Sequence, residues 1–302
     1  MRKTMPVKSG SGICFLGVTA MFIFCGDALP SKEAAVRAPV ITAKQVVQRI
    51  KERFKSQWQE KTVDTFKCGD PNTPVTGIAM THAATFDVLK RAEAAGLNFV
   101  ISHEPTFYKH EDDTTQLESD EVLLAKRNFV EQHKMVVWRF HDHAHRTRPD
   151  GIVAGMVDSL GWRQNLCKGE MEVFEFPRTT LREFAATLKH KFNGAPIRIV
   201  GDPEMQFSRV GLKVGSPGSP GQIQMLQRPD VEVLVSGETH EWETVEYVRD
   251  AVAAGKPKAL ILLGHVNSEE AGMDHFTKWL AEFVPEVPVQ FIPAGNPFWS
   301  PQ

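Results

Sequence analysis

Three stretches of the chain end an apolar run in histidine with a carboxylate close by. Ile101-Ser102 leads into His103-Glu104, residues 134–140 lead into His141-Asp142-His143-Ala144-His145, and residues 260–263 lead through Gly264 into His265, with Glu269 four residues on. Imidazole nitrogens and carboxylate oxygens together suit zinc, manganese, iron and similar ions. Residues i and i+4 share a helix face, so His265 and Glu269 can converge on one ion. One such pair is more often an ordinary polar contact than a ligand set. Three pairs, each where a buried strand ends, point to a metal site.

The elements that must position these residues follow a β–α alternation. Residues 42–58 carry Val46, Val47, Ile50 and Phe54 at helical spacing, with Thr42 as N-cap. Residues 75–80 read as a strand, 83–95 as a helix closed by Gly96, and 98–101 as a buried strand that must stop near Pro105. Residues 117–132 read as a helix before the strand at 134–140. If that strand continues, alternation puts His141, His143 and His145 on one side. Residues 152–160 read as a helix. Farther on, 173–176, 197–200, 210–214 and 231–235 read as strands, 180–191 as a helix and 215–221 as a small-residue loop. That loop lacks the Gly-Lys-Ser/Thr ending of a phosphate-binding loop. Glu238 and Glu241 follow the strand at 231–235, a helix spans about 242–254, a last helix follows Gly272, and 289–292 read as the final strand.

Residues 92–96 and 251–255 echo each other: each is a helix end and a glycine before a buried strand that ends in histidine. The pattern predicts an α/β protein of two related halves, about 41–165 and 166–302, with sheets packed by helices and a metal site at the strand C-terminal ends between them.

With 302 residues, 42% hydrophobic and 24% charged, the composition is that of a globular protein. A formal net charge of −2 offers no broad basic surface for nucleic acid. Arg2, Lys3 and Lys8 precede an apolar run at 12–25, which is short for a membrane span and has the length of an export signal. Residues 1–28 are therefore expected to be a signal peptide cleaved after Ala28, and 29–40 a linker, which places the mature chain in the periplasm or outside the cell. Lipid anchoring through Cys25 is the alternative. In an oxidising compartment Cys68 and Cys167 are free to pair or to remain thiols.

Residues 75–161 and 231–272 resemble the NGG-interacting-factor-three-like family, also called GTP cyclohydrolase I type 2-like. Its first motif, Thr-His-His-Pro, corresponds to Ser102-His103-Glu104-Pro105. Its second, His-Thr-Asn-x-Asp, corresponds to residues 141–145, and its third, Gly-His-x-x-x-Glu, is intact from Gly264 to Glu269. Glu104 stands in place of a ligand histidine and His145 in place of a ligand aspartate, which conserves ligand count and charge. The resemblance implies a dinuclear metal centre and a homohexameric toroid.

From that resemblance the expected metal ligands are His103, Glu104, His145, His265 and Glu269, holding two divalent ions (zinc, manganese or iron). His103 and His265 would hold one ion, and Glu104 and His145 the other. Glu269 would be a bridging or terminal ligand, and Asp142 an alternative to His145. Asp142 or Glu241 would move the proton, and Glu238, His82, His143 and His240 are further candidates. The expected activity is metal-dependent hydrolysis of a small-molecule substrate such as a nucleotide, a phosphoester or a cyclic amide-like bond. The competing expectations are a non-catalytic metal-binding assembly protein and a binding module for a small ligand.

Overall fold

The computed structural model describes residues 40–301, so the expected export signal and, apart from Val40, the linker lie outside the described residues. Ten strands form two five-stranded sheets. The first contains β1 (Phe66–Cys68), β2 (Ile78–Thr81), β3 (Phe99–Ser102), β4 (Val136–Arg139) and β10 (Val289–Phe291) in the order β1-β4-β3-β2-β10. The second contains β5 (Val173–Thr180), β6 (Arg198–Val200), β7 (Gln206–Lys213), β8 (Val233–Ser236) and β9 (Ala259–Leu262) in the order β5-β7-β8-β9-β6. Every residue of β2, β3, β4, β8 and β9 is buried, as expected for parallel strands covered on both faces.

The helices are α1 (Ala43–Phe54), α2 (Phe86–Ala94), α3 (Glu121–Gln132), α4 (Gly151–Leu160), α5 (Leu181–Lys191), α6 (Ser219–Gln227), α7 (Glu246–Ala253) and α8 (His265–Ala281). Side-chain alternation splits each sheet between two environments. Ala79, Val100 and Val137 pack with α2 and α3, whereas Ile78, Met80, Ile101 and Trp138 face the main core. That core also takes in residues of α1, α4, α5 and α8, together with Val210, Val233 and Ile261 of the second sheet. Outer-face residues Leu234, Leu260 and Leu262 pack with α6 and α7.

Several expectations shift. The chain does not keep each sheet within one half, because β10 returns to pair in parallel with β2, Val289 against Ile78. The loop expected at 215–221 ends in helix: α6 starts at Ser219, with Pro220 in its first turn, where a missing N–H costs nothing. The last helix starts at His265 rather than after Gly272. The stretch 141–145 is a turn, not a continued strand. The helix expected at about 242 opens with a π-helical turn, Glu241–Val245.

Gly272 lies inside α8 because α4 crosses there. A Cβ on Gly155 would stand 2.5 Å from the Ala271 carbonyl oxygen, and one on Gly272 would stand 2.5 Å from the Ile152 Cα. The obstacle is backbone, which cannot rotate away, so Gly155→Val is expected to cost about 3 kcal/mol. A lowered urea midpoint with retained secondary structure would bear this out, and an unchanged midpoint would refute the contact.

Candidate metal centre

Three parallel strands of the first sheet and two of the second end at one cleft, and each delivers a titratable side chain just past its end. β2 leads to His82, β3 to His103 and Glu104, β4 to His141, β8 to Glu238 and β9 to His265. The first turn of α8 adds Glu269, and the turn after β4 adds His145. Two groups of donors result, His103 with His141 and His145, and His82 with Glu104, His265 and Glu269; within each group the donor atoms lie within 4.8 Å of one another.

Glu269 sits at the middle, 3% exposed. One carboxylate oxygen lies 2.9 Å from His265 Nε2, 3.3 Å from His82 Nε2 and 3.5 Å from His103 Nε2, and the other lies 3.8 Å from His145 Nε2. Glu104 Oε1 lies 3.4 Å from His265 Nε2 and 3.7 Å from His141 Nε2. Behind it, the fully buried Arg139 places Nη2 3.9 Å from Glu104 Oε2, and its Nε donates to the His103 carbonyl at 3.0 Å.

The imidazoles are aimed by their other nitrogens. Nδ1 of His103 meets the Phe140 carbonyl at 3.1 Å, that of His141 meets Asp142 at 3.0 Å, that of His145 meets Asp150 at 2.9 Å and that of His265 meets Glu238 at 3.3 Å. Such contacts fix ring orientation and leave Nε2 as the donor toward the cluster. His103 Nε2 is buried and makes no hydrogen bond. A buried, unpartnered nitrogen facing carboxylates and other imidazoles is what a metal ligand looks like, so the donor set fits a divalent ion.

The electrostatics point the same way. Burial would raise Glu269, but the charge of His103 and the hydrogen bonds from His265 and His82 hold it well below the usual carboxylate range. Burial also opposes ionisation of Glu104, yet its hydrogen bond from His265 and the charge of His103 bring it to about 2. Burial pulls His265 down, but Glu104, Glu238 and Glu269 together push it up to about 12. Burial and the charge of His103 lower His141 to about 4. The three carboxylates thus favour the protonated form of His265 in the metal-free cluster.

Of the predicted ligands, His103, Glu104, His145, His265 and Glu269 all lie in the cluster. His82 joins from the further candidates, and His141, which opens the second motif, joins as well. Asp142 does not face the donors: its Oδ2 accepts from Thr62 Oγ1 at 2.8 Å and its Oδ1 holds His141. Glu241 is exposed and paired with Arg198, because the π-helical turn carries it out of the cleft. His240 is exposed and stacks on Trp242. His143 is buried for structural reasons, stacked on Trp58 at 3.6 Å with Nδ1 on Asp64 at 2.7 Å.

Asp64 is the functional residue that the sequence hid. Its carboxylate accepts the backbone N–H groups of His141, Asp142 and His143 at 2.6, 3.0 and 2.9 Å, and so shapes the turn that presents His141 and His145. Nothing around Thr62-Val63-Asp64-Thr65 marks it, since its partners lie about 80 positions away.

The cleft over the cluster has a volume of about 730 Å³ and is lined by Glu104, His141, His145, Glu238, His265 and Glu269, with Lys109 and Lys213 at its walls. The family model described as Duf34/NIF3 (NGG1p interacting factor 3) matches residues 41–297. Among solved structures, the chain is similar to the hypothetical protein SA1388 of Staphylococcus aureus, at 17% identity and TM-score 0.68, over 86% of this chain and 99% of that one. It is similar also to a Bacillus cereus protein related to NIF3, at 12% identity and TM-score 0.67, over 87% and 98%. Reduced HcgD of Methanocaldococcus jannaschii matches at 15% identity and TM-score 0.59, over 84% and 97%. No curated protein matches.

Metal uptake at His265 must expel its proton, because only neutral imidazole donates to a metal. With the metal-free pKa at about 12, that proton is present throughout the neutral range. Zinc affinity for this position is therefore expected to rise about tenfold per pH unit between about pH 6 and 8. Calorimetry in buffers of different ionisation enthalpy should register at least one proton released; none released would contradict the assignment.

Proposed function

Because the chain belongs to the Duf34/NIF3 family, we propose that it is a metal-dependent hydrolase with two divalent ions in this cleft. The observation that carries the reading is the convergence of seven donors, four of them imidazoles held through Nδ1, beside a cavity large enough for a small-molecule substrate. His103, His141 and His145 would hold one ion, and His82, Glu104, His265 and Glu269 the other. When bound, such ions supply Lewis acidity, polarising a carbonyl or phosphoryl oxygen and making water acidic enough to attack at neutral pH.

The chain's own groups supply the rest. Glu238 takes the proton-carrying role first expected of Asp142 or Glu241. It lines the cleft, is exposed, and sits 3.3 Å from His265 Nδ1. The hydrogen bond from His265 holds it below the ordinary carboxylate range, so it is ionised at neutral pH, and its position at the cleft wall is what suits it to accept a proton. Asp142 and Asp150 orient His141 and His145. Lys213, paired with Glu172 at 2.5 Å, places a hydrogen-bond donor on the cleft wall.

The test is turnover by the zinc- or manganese-loaded protein against panels of phosphoesters, nucleotides and cyclic amides. Glu238→Gln should lower kcat by about 10²–10⁴ at saturating metal while KM changes little, the range for loss of a general base. Full activity in that variant would remove Glu238 from the mechanism. Stoichiometric metal with no turnover on any panel would favour a metal-binding assembly protein.

A further inference from the structure

The metal cleft does not end at Asp150. A second cavity, of about 390 Å³, runs along the outer side of α4 and shares Asp150, Val153 and Glu172 with the cleft. Its character differs. Ala154 and Val157 of α4 line it together with Leu166 and Met171, and Arg163 and Glu170 are the charged residues that join them away from the cleft. Leu166 and Met171 are 41% and 54% exposed, so two large apolar side chains face water within a concave surface. Arg148 stands at its rim and donates only to the carbonyls of His145 and Thr147, at 3.3 and 3.0 Å, with no carboxylate partner among the described residues.

The boundary between the two spaces is fixed. Asp150 Oδ1 accepts from the N–H groups of Ile152 and Val153 at the start of α4, at 2.9 and 3.2 Å, and Oδ2 holds His145. A ligand passing from the cleft into the cavity thus meets a rigid polar shoulder and then an apolar trough. That is the anatomy of a small-molecule site: a few placed polar groups beside a mainly apolar wall.

We propose that this cavity is the subsite for an apolar arm of the substrate. The substrate class is then amphipathic, with an oxyanionic or carbonyl head at the metal ligands and an aryl or short acyl arm along α4 against Leu166 and Met171. The inference rests on the reading of the cleft as the reaction site. It adds that affinity and selectivity come from the arm, with Ala154, Leu166 and Met171 as specificity-determining residues.

The experiment is calorimetric binding of methyl-, butyl- and hexylphosphonate to the zinc-loaded and the zinc-stripped full chain, in wild type, Ala154→Trp and Leu166→Asp. Each buried methylene is worth roughly a fourfold gain in affinity. With part of the arm left wet, hexylphosphonate should bind wild type about 30-fold more tightly than methylphosphonate. Leu166 is exposed and Ala154 half-buried at the cavity wall, and circular dichroism and melting temperature verify the fold of both variants. In both variants the gain should fall below about threefold, with the methylphosphonate affinity unchanged. No chain-length gain in wild type, or a gain that survives both substitutions, overturns the subsite. Equal affinities with and without zinc, with the gain intact, would instead retire the metal reading and leave the subsite standing. A molar mass by light scattering that falls in Leu166→Asp, with no chain-length gain in wild type, would assign the cavity to a second copy of the chain and also overturn the proposal.

Discussion

A buried carboxylate is the constraint on which the arrangement turns. Glu269 is 3% exposed in the first turn of α8, and an ionised carboxylate removed from water needs positive or donating partners on every side. Strands from both sheets supply them: His82 and His103 from the first, His265 from the second, and His145 from the turn after β4. The space for Glu269 is reserved as well, since a Cβ on Gly215 would lie 2.0 Å from Glu269 Oε1. The glycine contact between α4 and α8 sets the depth of α8, and with it where this carboxylate stands.

A second layer of contacts turns the imidazoles into a donor set. Each of four rings has its Nδ1 on an oxygen, and those oxygens come from unrelated parts of the chain: the Phe140 carbonyl, Asp142, Asp150 and Glu238. Asp150 does two jobs, capping α4 and orienting His145, so the helix start and the ligand position are one constraint. Asp64 does the equivalent for the turn at 141–143. These groups lower the entropic cost of assembling the site, because the donors already point inward.

Much of this was legible in the sequence, for local reasons. Four aliphatic residues in a short run that stops at Gly264 read as a buried strand, and the i, i+4 spacing of His265 and Glu269 gives them a shared helix face. His103 and His145 follow from strand ends. What escaped notice depends on distance along the chain. His82 ranks only among the further candidates, since it follows a short strand with no adjacent carboxylate, and His141 reads as part of a motif rather than as a ligand. Asp64 acts through backbone N–H groups far downstream. The 141–145 stretch looked like strand alternation, but Asp64 curls it into a turn that separates His143 from its neighbours. Glu241 was plausible by proximity to Glu238, until the π-helical turn carried it outward. The return of β10 to the first sheet is a long-range pairing that no local pattern announces.

Metal content of the purified protein, by elemental analysis of wild type beside Glu269→Gln, tests the central claim most directly. Glu269 lies closest to both donor groups, so the account predicts near two ions per wild-type chain and a sharp fall in the variant, with the fold retained by circular dichroism. Equal metal content in the two proteins, or no metal bound by wild type after exposure to zinc, manganese or iron, would contradict it.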